Sequence, residues 1–252
     1  MIIDNNTLLN IMQSNIENKI SSSFIRKGDG ENIFIGYGII HAIKLRKYLK
    51  MVKIMNLRYS HYQFHHYIKR ELISAFYNCD YLGIAPKNYT HGAWKYESEV
   101  LEKFNLNQKK YCDMNFHLEF IKVPDKNQLV NSIAEKIITN KNIGIISCHE
   151  VDSLINNYNS TIVSSYKLIK QGENNLFNKI TLNTYNEVFK LIKNSLNVDL
   201  WIVGAGIHAK IFCNYIKNNK GVAIDIGSSI DTWANIYNHR GHLRKLYSEY
   251  SK

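Results

Sequence analysis

Apolar and polar positions along this chain follow two periods that take turns. Residues 7–20 place Leu8, Leu9, Ile11, Met12, Ile16 and Ile20 in near-helical register behind Thr7, which predicts a helix capped by that threonine. Apolar runs of strand length occur at residues 23–25, 81–85, 116–123, 142–147, 160–166, 199–203 and 222–224. Between them the spacing turns helical, at residues 40–55, 59–78, 95–105, 152–158, 183–194 and 204–217. Pro124 and Asp125 predict the start of a further helix running to Ile138. Strands that alternate with helices call for an α/β fold, a Rossmann-like and mainly parallel sheet with helices on both faces. No internal repeat or low-complexity linker marks a boundary, so residues 1–252 read as a single domain. The aromatic and lysine-rich stretch at about 40–78 reads as a helical insertion in it.

Composition narrows the class. A chain of 252 residues, 45% of them hydrophobic, is long enough to bury one large core. Cys79, Cys112, Cys148 and Cys213 lie at neither metal nor redox spacing and read as reduced thiols. The N-terminus shows no basic start before an apolar run, and no apolar run approaches bilayer length. A cytoplasmic protein is expected, and its charge is compatible with a peripheral place at the inner membrane face. The net charge of +11 admits nucleic acid, an anionic membrane or an anionic substrate. The basic residues are scattered rather than blocked and no nucleic-acid module is recognisable, so nucleic acid is not an expected partner.

Three stretches carry candidate chemistry. In Arg26-Lys-Gly28-Asp29-Gly30-Glu31, two carboxylates flank a glycine just after a strand. A tight turn there would aim both at one point, the arrangement that holds Mg²⁺ or Mn²⁺ beside a diphosphate, and Arg26 would add charge for phosphate. Gly and Asp are also ordinary turn residues, so a plain turn explains the same letters. Gly204-Ala-Gly206-Ile-His208-Ala209 fits a dinucleotide fingerprint, with Asp225 about twenty residues on where a ribose-binding acid belongs. That spacing supports a Rossmann-type enzyme using NAD or S-adenosylmethionine. It equally supports a diphosphate cradled by glycine backbone and a helix N-terminus. Cys148-His149-Glu150-Val-Asp152 reads either as a base or nucleotide contact or as the N-cap and acidic first turn of a helix. His61 and His65 stand at metal-ligand spacing, but no completing ligand is near and an aromatic helix explains them better. The 88–94 loop, with its Asn, Tyr, Thr and Trp, offers sugar-binding groups or simply a surface loop with an anchoring Trp94.

The Arg26–Glu31 stretch resembles the Arg-x-Gly-Asp-Gly-Glu signature of the GT-D-type glycosyltransferases, a bacterial family. Trp201-Ile-Val-Gly-Ala-Gly, then Ala223-Ile-Asp-Ile-Gly-Ser, then Asp231-Thr-Trp, resemble the family's closing segment in order and placement. Together the matches cover about a third of the chain. The resemblance implies a GT-D-type fold and transfer of a sugar from a nucleotide sugar, with UDP as the expected nucleotide. It implies Mn²⁺ or Mg²⁺ held by Asp29 and Glu31. The expected donor contacts are Arg26, Gly28, Gly30, Gly204, Gly206, His208, Gly227 and Ser228. Glu150, His149 and Asp225 are the candidates for the acceptor's base. The implied acceptor is a glycan or glycolipid of bacterial surface polysaccharide, or a glycoprotein. The competing readings are the NAD- or S-adenosylmethionine-dependent enzyme and a non-catalytic nucleotide- or glycan-binding module.

Overall fold

A computed structural model describes residues 2–250 apart from 58–61, 87–88, 90–91, 170–179 and 239. Its strands are β1 (Ile2–Ile3), β2 (Ser22–Arg26), β3 (Tyr81–Ile84), β4 (Tyr111–Asp113), β5 (Asn142–Ser147), β6 (Thr161–Lys167), β7 (Leu200–Gly204) and β8 (Val222–Asp225). They form one sheet in the order β1-β4-β3-β2-β8-β7-β5-β6, every pair parallel. The helices are α1 (Asn5–Glu17), α2 (Asp29–Gly36), α3 (Leu45–Ile54), α4 (Tyr62–Asn78), α5 (Glu97–Lys103), α6 (Ser132–Ile138), α7 (Asp152–Asn156), α8 (Leu182–Asn194), α9 (His208–Asn218), α10 (Ser229–Trp233) and α11 (Gly241–Tyr250).

The central strands are apolar on both faces, as a covered parallel sheet requires. Successive residues alternate between two clusters. Ile25, Trp201, Val203 and Ala223 join one cluster; Phe24, Leu200, Ile202, Val222 and Ile224 join the other. The first cluster is closed by side chains of α2, α3, α4, α5, α8 and α9, the second by those of α1, α6, α7 and α10. The 40–78 segment supplies Tyr48, Val52, Ile68, Leu72 and Phe76 to the first. One glycine here is a packing requirement. Gly144 pairs in register with Trp201, and a Cβ on it would collide with the indole.

Three local expectations change. The helix at the N-terminus is capped by Asp4, whose Oδ1 accepts the Thr7 N–H at 2.9 Å. Residues 116–123 do not join the sheet. Phe116–Phe120 is a 3₁₀ turn that buries both phenylalanines in the second cluster, so their four-residue spacing outweighed the run of apolar letters. The strand of that region is Tyr111–Asp113, too short to show a period of its own. No helix starts at Pro124. Asp125 and Asn127 take positive φ, Lys122 bridges back to Leu129, and α6 begins only after Asn131 caps Ile133. Of the aromatic stretch, His61 lies outside the described residues, while His65 is buried and bonded to Tyr48 Oη at 2.9 Å.

Candidate active site

All strands run one way, so their carboxyl ends share an edge, and there the loops after β2, β5, β7 and β8 enclose a cleft of about 740 Å³. Open α/β sheets bind ligands at this edge.

The chain leaves β2 and enters α2 at once. Gly28 is the N-cap, and Asp29 and Glu31 fall in the first helical turn, where the helix dipole favours carboxylates. The expected tight turn is therefore a helix start, and the two glycines serve space rather than an unusual φ. A Cβ on Gly28 would stand 2.6 Å from Glu31 Oε2, and one on Gly30 would collide with the Met51 side chain of α3. Lys27 faces the core. Its ammonium donates to Glu97 at 2.6 Å and to Asn32, tying this junction to α5.

Glu31 does not stand free beside Asp29. Lys210 of α9 reaches Glu31 Oε1 at 3.1 Å and Asp225 Oδ2 at 2.8 Å, and donates to the Gly206 carbonyl at 2.9 Å. Burial would raise the Glu31 carboxyl and lower the Lys210 ammonium. Asp225 and then Glu31 raise Lys210 against that burial and against Arg26, while Lys210 and then Arg26 lower Glu31, so both groups stay charged. Among the described residues Asp29 has no such partner. Its carboxyl is raised by burial and then by Glu31, and it faces Gly92 across the cleft mouth. A hard oxygen donor whose charge is disfavoured until a cation arrives suits Mg²⁺ or Mn²⁺. Glu31 suits it less directly, since one of its oxygens is on Lys210. Among the described residues no group of three His, Cys, Asp or Glu side chains gathers as a metal site.

After β7, Gly206 adopts φ +56° and α9 begins. The N–H groups of His208 and Ala209 already bond to the carbonyls of Ala205 and Gly206. The His208 ring also turns inward. It meets Tyr185 Oη at 2.6 Å and the Met55 carbonyl at 3.1 Å, and burial pushes its pKa down to about 4. That histidine holds α9 against α8 and the end of α3, and has no ring nitrogen left for phosphate. After β8, Asp225 is fully buried and accepts the Gly227 N–H at 3.0 Å. It lies behind the cleft wall on Lys210, so neither a ribose hydroxyl nor an acceptor can reach it; the base or ribose role expected for it is withdrawn. Gly227 has φ +48°, and a Cβ there would collide with the Arg26 guanidinium. Arg26 is fixed by donating to the Met114 carbonyl at 3.0 Å. Ser228 Oγ lies 3.1 Å from His242 Nε2.

The loop after β5 sends consecutive residues in opposite directions. His149 Nε2 meets Asp231 Oδ1 at 2.9 Å, and Arg240 Nε approaches Asp231 Oδ2 at 3.3 Å. The Asp231 carboxylate, and after it Cys148, raise the His149 pKa to about 9. His149 is thus protonated at neutral pH, which makes it a cation in the cleft rather than a ready base. Glu150 does not line the cleft. It is exposed and paired with Lys167 at 2.6 Å, which corrects its expected place among the catalytic groups.

The family enters at this point. A model described as a GT-D fold-like domain matches residues 3–233. The chain belongs to the GT-D-like family. Two solved structures are similar to it over nearly its whole length. One is a selenomethionine-substituted domain of unknown function 1792, with a TM-score of 0.58, 15% identity, and coverage of 99% of this chain and 89% of that one. The other is the same domain, described as having a distinct glycosyltransferase fold, with a TM-score of 0.57, 16% identity and coverage of 98% and 88%. No curated protein matches the chain. The GT-D glycosyltransferase fold expected from the sequence is thereby shown.

In this GT-D-like chain the cleft lining includes Arg26, Gly28, Asp29, Gly30, Glu31, His149, Gly204, Gly206, Gly227 and Ser228, and His208 with its ring turned inward. It adds groups that sequence reading passed over. Lys47 and Lys50 come from the basic face of α3, and Asp231 and Arg240 from the closing segment. Lys47 donates to Tyr96 Oη at 2.9 Å. The signal for α3 was present in its lysines, but nothing in their spacing says which side faces a cleft.

Proposed function

We propose that the protein transfers a glycosyl group from a nucleoside diphosphate sugar, with UDP the expected nucleotide, to a glycan or glycolipid acceptor of bacterial surface glycan synthesis. The observation that carries this reading is the split character of the cleft. One exposed carboxylate, Asp29, lines it together with Arg26, Lys50, His149, Arg240 and glycine backbone. Asp29, beside Glu31, would hold a divalent cation, whose positive charge would stabilise a diphosphate leaving group. Arg26 and protonated His149 provide fixed charge for the same phosphates. Lys210 keeps Glu31 ionised and oriented. The glycines at 206 and 227 let the backbone approach the ligand closely.

A dinucleotide enzyme is the weaker reading, because the acid it requires is Asp225, buried on Lys210 rather than presented to a ribose. Thermal melting with UDP, a UDP-sugar, NAD and S-adenosylmethionine, each with and without Mn²⁺, separates the two. UDP and UDP-sugar should raise the melting temperature only with Mn²⁺ or Mg²⁺, since ligands of the native state stabilise it. A metal-independent shift with NAD, and none with any UDP-sugar, would overturn the proposal.

A further inference from the structure

One stretch beside the cleft departs from the rest of the chain in charge. Between Glu31 and Glu71 the chain has eight lysines and arginines and no Asp or Glu. Five of these flank or belong to α3, which buries only Tyr48 and Val52. On a 3.6-residue turn, Leu45, Leu49, Lys53, Arg46 and Lys50 follow one another around the solvent arc of that helix. All five are exposed, Leu45 by 53% and Leu49 by 37%. Among the described residues no ion pair involves Arg46, Lys50 or Lys53.

A single exposed leucine is ordinary, and a basic helix face is usually just solvated. Two leucines one turn apart, beside three cations in a stretch without Asp or Glu, form a surface with both an apolar and an anionic complement. A lipid bilayer of negative charge provides both: headgroup phosphates for the cations and the acyl boundary for the leucines. Nucleic acid would engage the cations and leave the leucines in water. We infer that the α3 arc seats the protein on an anionic membrane surface, lying on it and not crossing it. No helix among the described residues is long and apolar enough to span a bilayer. Lys50 belongs both to this arc and to the cleft lining, so the seated helix puts the cleft mouth beside the lipid. That a lipid-borne acceptor would arrive there rests on the proposed glycosyl transfer; the docking itself does not.

Sedimentation with vesicles tests it. The protein should pellet with mixed phosphatidylcholine and phosphatidylglycerol vesicles, not with phosphatidylcholine alone, and less as added salt screens the charges. Leu45→Asp/Leu49→Asp and, separately, Arg46→Glu/Lys53→Glu should each weaken binding about tenfold or more. These four side chains lie outside the cleft lining, so both variants should keep the wild-type melting temperature and UDP binding. Failure of the wild-type protein to pellet with anionic vesicles overturns the inference. So does binding that the leucine variant retains at full strength, the behaviour of a general polyanion surface. Vesicle binding with no UDP binding would sink the donor assignment and leave the docking surface standing.

Discussion

Two charge clusters flank one cleft and are built in opposite senses. Against α2, a cation lies between two anions: Lys210 between Glu31 and Asp225. Against α10, an anion lies between two cations: Asp231 between His149 and Arg240. The first is sealed, with the Lys210 side chain only 4% exposed; in the second the His149 and Asp231 side chains are also little exposed, at 9% and 7%, and Arg240 alone of the three, 43% exposed, reaches solvent. Ions of the sealed cluster are fixed by attraction that water does not screen, so they set geometry. In the second cluster Arg240 keeps an exposed guanidinium at the cleft. With Asp29 beside the sealed cluster, one end of the cleft suits a cation and the other suits phosphate.

The largest effect expected from this contrast is on stability. Lys210→Met leaves two buried carboxylates without their common partner, which should cost about 3–5 kcal/mol. Urea unfolding reads it directly. A variant as stable as wild type would mean that the three groups do not depend on one another, and the comparison would fail at its sealed end.

Asp29→Ala addresses function instead. Asp29 is the partly open carboxylate, so its loss should leave the urea midpoint nearly unchanged. Cation-dependent transfer from a UDP-sugar should fall by about 100-fold or more, the loss of several kcal/mol of charge stabilisation. Transfer at wild-type rate in the variant would remove Asp29 from the site. Transfer from which chelation of the cation takes nothing away would remove the cation.

How far the sequence could be read follows the same division between local and assembled features. The central strands were legible because a strand covered on both faces is a continuous apolar run, as in Leu200-Trp-Ile-Val. Tyr111–Asp113 was not, since three residues carry no period. The glycine-rich turns were legible as a ligand edge, because they end strands of a parallel sheet. What side chains do there was less so. His208 and Asp225 sit at the spacing of ligand contacts, yet they point into the protein, one at Tyr185 and the other at Lys210. Orientation on a helix or strand depends on what packs behind it, and no local pattern contains that. Asp231 was visible only as part of a family-like Asp-Thr-Trp, without the partner 82 positions earlier that gives it meaning.

At the open rim the expected effect is smaller and depends on pH. Asp231 raises the folded His149 pKa from its ordinary 6.5 to about 9. The charged pair therefore stabilises the fold fully below about pH 6.5, and that contribution is lost as pH rises through about 9. Asp231→Asn should cost about 1.5–3 kcal/mol at pH 6, the value of a hydrogen bond to a charged group, and close to nothing from this pair at pH 10. Urea midpoints across that range check it. A gap that stays constant with pH would mean the aspartate acts through packing or through Arg240 alone, and the rim would lose its switchable cation.

The smallest effect sharpens the comparison most, because it concerns the residue next to His149 in the chain. Glu150 leaves the same loop in the other direction and pairs with Lys167, with side-chain exposures of 77% and 66%. An ion pair so exposed gains little beyond what water already provides. Lys167 and Glu150 each hold the other charged, so the carboxylate is a weaker base than an ordinary one. Glu150→Ala should accordingly leave melting temperature, UDP affinity and transfer rate at wild-type values. A rate that drops tenfold, with UDP affinity intact, would place this carboxylate against the acceptor in the working complex. The loop after β5 would then have to turn over between the two clusters, and the division of the cleft into a sealed end and an open end would describe only the protein without its acceptor.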